Sequence, residues 1–226
     1  MSIPNVQLAF QGGGAKFVVM LPVADAFLTA QEKWGKVRIK AVAGTSAGAI
    51  CAALVACKAD FSKVQSFLKD DGDAWISKLI PPDLQPLAGR RTPPRWWQWL
   101  RFKYLKLFYD VLWKGKPILQ GDALFDFLKA LFERSTGLSD QKIEKCTSKL
   151  TIIASNIVAS KAVEHESGDL VSALTDSCAL PIIFRSFSSL AGTHHVDGGL
   201  CDNLPVERLR SDVEAPVFAI YPAIPA

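Results

Sequence analysis

Apolar positions along the chain alternate between short unbroken runs and helical stripes, with glycine turns between them. Val6 to Phe10 is such a run, ending at Gly12-Gly13-Gly14, and predicts a buried strand entering a tight turn. Ala15 to Gln31 follows as a helix whose buried stripe is Val18, Leu21, Ala24, Ala26, Phe27 and Leu28. Pro22 lacks the amide donor of a helical bond, so it is expected to bend this helix or delay its start. Val37 to Ala43 predicts a second strand, and Ala47 to Cys57 a second helix entered directly after Ser46. Strand, helix, strand, helix in that order argues for an α/β layer on a mainly parallel sheet.

The chain stays helical from Phe61 to about Lys69. Pro81, Pro82, Pro86, Pro93 and Pro94 then argue against any long helix across 70–95. Trp96 to Trp113 has the spacing of an amphipathic helix, and Ala123 to Arg134 predicts another, capped by Asp122. Leu150 to Asn156 reads as a third strand, and Ser172 to Ala179 as a short helix stopped at Leu180-Pro181. His195-Val196 leads into Asp197-Gly198-Gly199, and Val217 to Tyr221 is the last expected strand. No helix follows to cover that strand, so residues 1–226 read as one domain in a truncated or minimal form.

Composition sharpens this picture in two places. An apolar share of 49% over 226 residues supplies one large core and excludes a disordered or collagen-like chain. The net charge of +4 hides an uneven distribution. Residues 90–116 carry eight Lys/Arg against Asp110 alone, a net +7, while the remainder is −3. Four of the six tryptophans lie in the same stretch, which marks a basic aromatic insert at about 75–118. The five cysteines (Cys51, Cys57, Cys146, Cys178 and Cys201) cannot pair completely and form no C-x-x-C, which fits a reducing compartment. No basic segment precedes an apolar one at Met1, so no signal peptide is expected. Ala41 to Cys57 is apolar over 17 residues but is interrupted by Gly44-Thr45-Ser46-Ala47-Gly48, too short and too glycine-rich for a membrane span. The expected placement is cytoplasmic, with peripheral contact to a membrane.

Gly44 to Gly48 has the G-x-S-x-G form of a nucleophile elbow. A sharp turn from strand to helix lifts the serine hydroxyl above the sheet, and small neighbours let the backbone pass close to itself. The helix N-terminus directs positive potential at the reaction centre, and the Ala47 N–H can face a developing oxyanion. Gly12-Gly13-Gly14 provides a second set of backbone donors suited to an anion. A dinucleotide site fits less well: Phe17 stands where the last glycine of G-x-G-x-x-G belongs, and no acid ends the second strand. No G-K-[ST] follows, so a nucleoside-triphosphate loop is also disfavoured. For the proton acceptor the residues leave two arrangements open. One is a Ser–His–Asp set drawing on His165, His194 or His195, and the other is a direct pair of Ser46 with Asp197. No Cys/His/Asp group has the spacing of a metal site, and no metal or cofactor is expected.

At this point the motifs resemble those of the patatin-like phospholipases. The family's G-G-G-x-[RK] loop corresponds to Gly12, Gly13, Gly14 and Lys16, its elbow to Gly44–Gly48, and its D-G-[GA] motif to Asp197-Gly198-Gly199. The stretches Asp176–Phe187 and Asp197–Val206, with Asn203 and Pro205, are also similar. Phe17 replaces a glycine that commonly follows the basic residue, and Lys16 replaces the commoner arginine. The resemblance implies a three-layer α/β/α fold around a mainly parallel sheet. It implies a Ser46–Asp197 dyad, with Gly12, Gly13, Gly14 and Ala47 forming the oxyanion hole. Lys16, Gly44, Gly48, Gly198 and Gly199 would support them, and the histidines would have no catalytic role. It further implies a hydrolase that cleaves fatty-acyl esters of phospholipids through an acyl-serine. A lysophospholipase or a general lipid acyl hydrolase is the nearest alternative, and a non-catalytic lipid-binding module a more distant one.

The insert takes a meaning from this. Arg95, Trp96, Trp97, Trp99, Arg101, Lys103, Lys106 and Trp113 combine rings that favour the headgroup level with cations that meet anionic lipid. Packing of the same aromatics on the domain is the competing account. Nucleic acid is not expected, because no recognised module surrounds the stretch.

Overall fold

A computed structural model describes residues 3–14, 17–79, 121–138, 140–179, 195–210 and 215–222. The insert residues Arg95 to Trp113 lie outside that set, as do Lys16 and His194. Six strands and six α-helices are seen among the described residues. They run β1 (Asn5–Phe10), α1 (Phe17–Glu32), β2 (Arg38–Thr45), α2 (Ala47–Ala56), α3 (Phe61–Asp70), α4 (Gly72–Leu79) and α5 (Gly121–Thr136). Then come β3 (Lys149–Asn156), β4 (Lys161–His165), α6 (Leu170–Ser177), β5 (His195–Asp197) and β6 (Val217–Ile220).

The sheet order is β4-β3-β2-β1-β6, with β5 also paired to β3. β6, β1, β2 and β3 are mutually parallel, while β4 and β5 run antiparallel to β3. β1 and β2 end side by side, Phe10 opposite Gly44, so the glycine loop and the elbow leave the same edge of the sheet. This is the carboxyl end of the parallel strands, where open α/β sheets place their sites.

The architecture is three-layered, α/β/α. All ten residues of α2 are buried, and the helix packs on β1, β2 and β3 beneath α1. A helix apolar on every side has to be interior, and its alanines and glycine let it lie close to the sheet. The opposite face is lined by Ala9, Ala41 and Ala43, against which Leu209 packs with Leu204, Val206 and Val217. Asp60 caps α3 through the Ser62 and Lys63 amides, and Asp169 caps α6 through Ser172.

Several expectations are corrected. α1 buries Met20, Leu21, Ala24 and Leu28, whereas Val18 and Ala26 face outward. Pro22 sits inside the continuous helix Phe17–Glu32, whose own start follows the glycine turn. Asp122 is the second residue of α5 and not its cap, where its negative charge complements the positive end of the helix dipole. β4 was not foreseen, because K-A-V-E-H is only half-buried and lacks a long apolar run. It forms by folding back on β3 through a turn in which Ala159 N–H donates to Asn156 Oδ1 and Ser160 has φ 50°. Cys57 and Cys146 form a disulfide with Cα atoms 4.4 Å apart, joining the end of α2 to the segment before β3. Cys51, Cys178 and Cys201 are free. Among the described residues no helix is long and apolar enough to cross a membrane.

Candidate active site

The elbow forms because β2 and α2 meet with almost no intervening chain. Ser46 is the single residue between Thr45, which ends β2, and Ala47, which opens α2. It takes φ 52° and ψ −126°, a left-handed backbone that disfavours side-chain-bearing residues and is held only where the surroundings enforce it. Three contacts do so. Ser46 N–H donates to Ser177 Oγ at 2.8 Å, Ser177 Oγ donates to Ile153 O at 2.6 Å, and Thr45 Oγ1 donates to Asp202 O at 2.8 Å. The Ser46 backbone is thereby tied to α6, to β3 and to the segment after Asp197. Gly48 allows the last step of the turn, since a Cβ there would fall on the carbonyl oxygens of Phe10 and Gln11.

Asp197 ends β5, and its position is also fixed by long-range bonds. Its N–H donates to Ala179 O at 2.8 Å, and its Oδ1 accepts from Gly199 N–H at 2.7 Å. Gly198 must lack a side chain, because a Cβ would meet Ile153 O. The carboxyl is buried, and burial raises its pKa above the ordinary 3.8. The Ser46 side chain and the Gly199 amide act in the opposite direction, favouring the charged form. Oδ2 has no hydrogen bond of ordinary geometry, although the Ser46 side chain acts on the carboxyl. Loose contacts of this kind are usual in a site without substrate. Cys178 adjoins both residues, and burial pushes its thiol pKa far up, so it stays neutral.

The glycine loop leaves β1 beside this pair. Gly12 N–H donates to Asn203 O at 3.0 Å, and a Cβ on Gly12 would meet Asn203 Oδ1 and approach Ser46 Cβ. The Gly12 N–H is thus engaged with Asn203, which fits a place for Gly12 in shaping the loop that carries Gly13 and Gly14. Gly14 has φ 55°, the left-handed conformation that a tight turn assigns to glycine. Ala47 opens α2, so its N–H is one of those that a helix's own ladder leaves without a partner.

The structure therefore brings together Ser46, Asp197, Gly12, Ala47, Gly44, Gly48, Gly198 and Gly199 around the ends of β1, β2 and β5. Of the histidines offered as a base, His195 has its Nδ1 3.3 Å from Asp176 Oδ2. Ser177, Thr45 and Cys178 were not foreseen as parts of the site. Ser177 and Cys178 stand inside the D-S-C-A-L-P stretch, and that was the available signal. No metal-site spacing is visible along the chain, yet three possible ligands meet in the fold. His165, Asp176 and His195 are far apart in sequence but converge in space.

A mostly parallel sheet with a strained serine elbow and a buried carboxyl beside it defines an α/β protein of the hydrolase class. Comparison with known families agrees, the patatin-like phospholipase model matching residues 8–210. The chain belongs to the patatin-like phospholipase family, a family of lipid hydrolases. It is similar to the uncharacterized protein YqhO of Bacillus subtilis, at 29% identity over 93% of this chain and 69% of that one. Among solved structures it is similar in fold to VipD from Legionella pneumophila, with a TM-score of 0.54 at 17% identity. That likeness covers 98% of this chain, which spans about half the length of VipD, 50%.

Proposed function

We propose that the chain hydrolyses fatty-acyl esters of membrane phospholipids with Ser46 as nucleophile and Asp197 as base. The observation that carries this reading is the buried Asp197 carboxyl, with its raised pKa, acting on a serine held in a left-handed elbow. A base with a pKa lifted toward the working pH is a better proton acceptor than an ordinary carboxylate. Ser46 Oγ attacks the ester carbonyl while Asp197 takes its proton. The negative oxygen of the tetrahedral intermediate is received by the N–H groups of Ala47, Gly13 and Gly14, each such donor typically worth about 2.7–4 kcal/mol at the transition state. The ester C–O bond breaks, and the lysolipid alcohol leaves with the proton. Asp197 then draws a proton from water, which attacks the acyl-serine; the bond from the acyl carbon to Ser46 Oγ breaks, Asp197 returns the proton to Ser46 Oγ, and the fatty acid leaves. Lys16 balances charge at the loop, and the basic aromatic insert holds the domain at the lipid surface.

Release of free fatty acid from vesicles of defined phospholipids, followed by mass spectrometry, tests the reading. Ser46→Ala and Asp197→Ala should each lower release by about 10²–10⁴-fold with the circular dichroism spectrum retained. Unchanged release in both variants would sink the dyad. The distribution of products separates a phospholipase from a lysophospholipase or a general acyl hydrolase, and vesicle binding without any release would favour a lipid-binding module.

A further inference from the structure

We propose that His165, Asp176 and His195 form a binding site for one divalent transition-metal ion, separate from the serine site. Three different elements supply the ligands: the end of β4, the last turn of α6 and the first residue of β5. One ring nitrogen from each histidine and one carboxylate oxygen all lie within 4.8 Å of one another. Two imidazoles with one carboxylate are a donor set suited to zinc and its neighbours in the first transition row, and not to calcium or magnesium.

The distances point the same way. Bonds of about 2.0–2.2 Å to a tetrahedral zinc ion place neighbouring ligand atoms roughly 3.3 Å apart. His195 Nδ1 and Asp176 Oδ2 are already 3.3 Å apart. The two imidazole rings stand nearly perpendicular, at 72°, with centroids 5.5 Å apart, so both face the same small space beside Asp176. His165 Nε2 is buried and makes no hydrogen bond, an unsatisfied polar atom of the sort that a structure explains by an ion or a water. The side chains of His195 and Asp176 are 15% and 9% exposed, so the ion would sit largely shielded from solvent.

An ion there would join three elements that meet beside the serine site. Asp176 precedes Ser177, whose hydroxyl receives the Ser46 amide, and His195 and Asp197 lie on the same face of β5. Metal binding to the folded state would therefore stabilise this corner of the fold by mass action.

The test is titration of the metal-stripped chain with zinc against a chromophoric chelator, with a thermal melt beside it. The expected result is one zinc per chain and a rise in melting temperature. His165→Gln and His195→Gln should each weaken binding at least tenfold, and Cys201→Ser should leave it unchanged. Equal zinc affinity in both histidine variants, or loss of binding in Cys201→Ser, would overturn the site. Should the histidine variants fail to fold, X-ray absorption of the zinc-loaded natural chain decides instead. Two imidazoles in the shell support the assignment, and fewer refute it.

Discussion

The two halves of the serine site are held in different ways. The nucleophile's half is local: Thr45, Ser46 and Ala47 are consecutive, and the elbow follows from a strand running into an all-buried helix. The acid's half is assembled from distant chain. Asp197 rests on Ala179 and Gly199, and its neighbours Asp176, His165 and His195 form a polar cluster beside the apolar core. Close backbone packing at Gly44 and Gly48 shapes the first half, which polar bonds from distant chain then fix, whereas directed polar bonds hold the second throughout. The first should fail when volume is added, and the second when a single bond is removed.

The largest effect is expected at Gly48, on the packed side. Gly48→Ala sets a methyl group against the Phe10 and Gln11 carbonyls, both of them backbone atoms that cannot turn aside. A loss of about 3 kcal/mol in urea unfolding is expected. A loss under about 0.5 kcal/mol would mean that the strand–helix junction is looser than its packing implies. Next comes Ser177, which belongs to both halves. Ser177→Ala removes one acceptor and one donor, stranding the Ser46 N–H and the Ile153 carbonyl in the interior. Such a loss destabilises by about 1–3 kcal/mol. The elbow should relax with it, so fatty-acid release should fall by more than the fraction of chain unfolded. Activity that merely tracks the folded fraction would show that Ser177 supports the fold and not the geometry of Ser46.

The same contrast explains what the sequence discloses. The elbow, the glycine loop and the parallel strands are legible because each depends on residues close together in the chain: Gly44 to Gly48, Gly12 to Gly14, and the run of Val6 to Phe10. The order of the three motifs carries the family likeness as well. The polar cluster is illegible because its spacing is set by folding. His165 and Asp176 are brought together by the turn of β4 onto β3, and β4 itself lacks an apolar signature. Val18 misled for a related reason: helical spacing allows it on the buried stripe, but the stripe is centred on Met20, Leu21, Ala24 and Leu28. The disulfide of Cys57 with Cys146 is another pairing that only the fold supplies, 89 residues apart in the chain.

The smallest effect separates the two halves by sign. Burial raises the Asp197 pKa in the folded chain above its unfolded value near 3.8, with Ser46 and Gly199 offsetting part of the shift. The native state therefore holds this proton more tightly than the unfolded state does. Below 3.8 both states are protonated and no penalty exists. As the pH rises through the raised folded value the carboxyl must ionise in a buried place, and stability is lost. Asn has the same shape and never ionises, so Asp197→Asn should melt slightly higher than the natural chain at pH 7 while losing activity. The gain should shrink as the pH falls toward 3.8 and vanish below it. A buried carboxyl kept for the proposed proton transfer, at a cost to the fold, behaves in this way, whereas Gly48, which serves the fold, yields no stabilising replacement at any pH. A melting temperature for Asp197→Asn below that of the natural chain at pH 7 would mean that the Gly199 and Ser46 contacts outweigh burial, and that Asp197 is held charged.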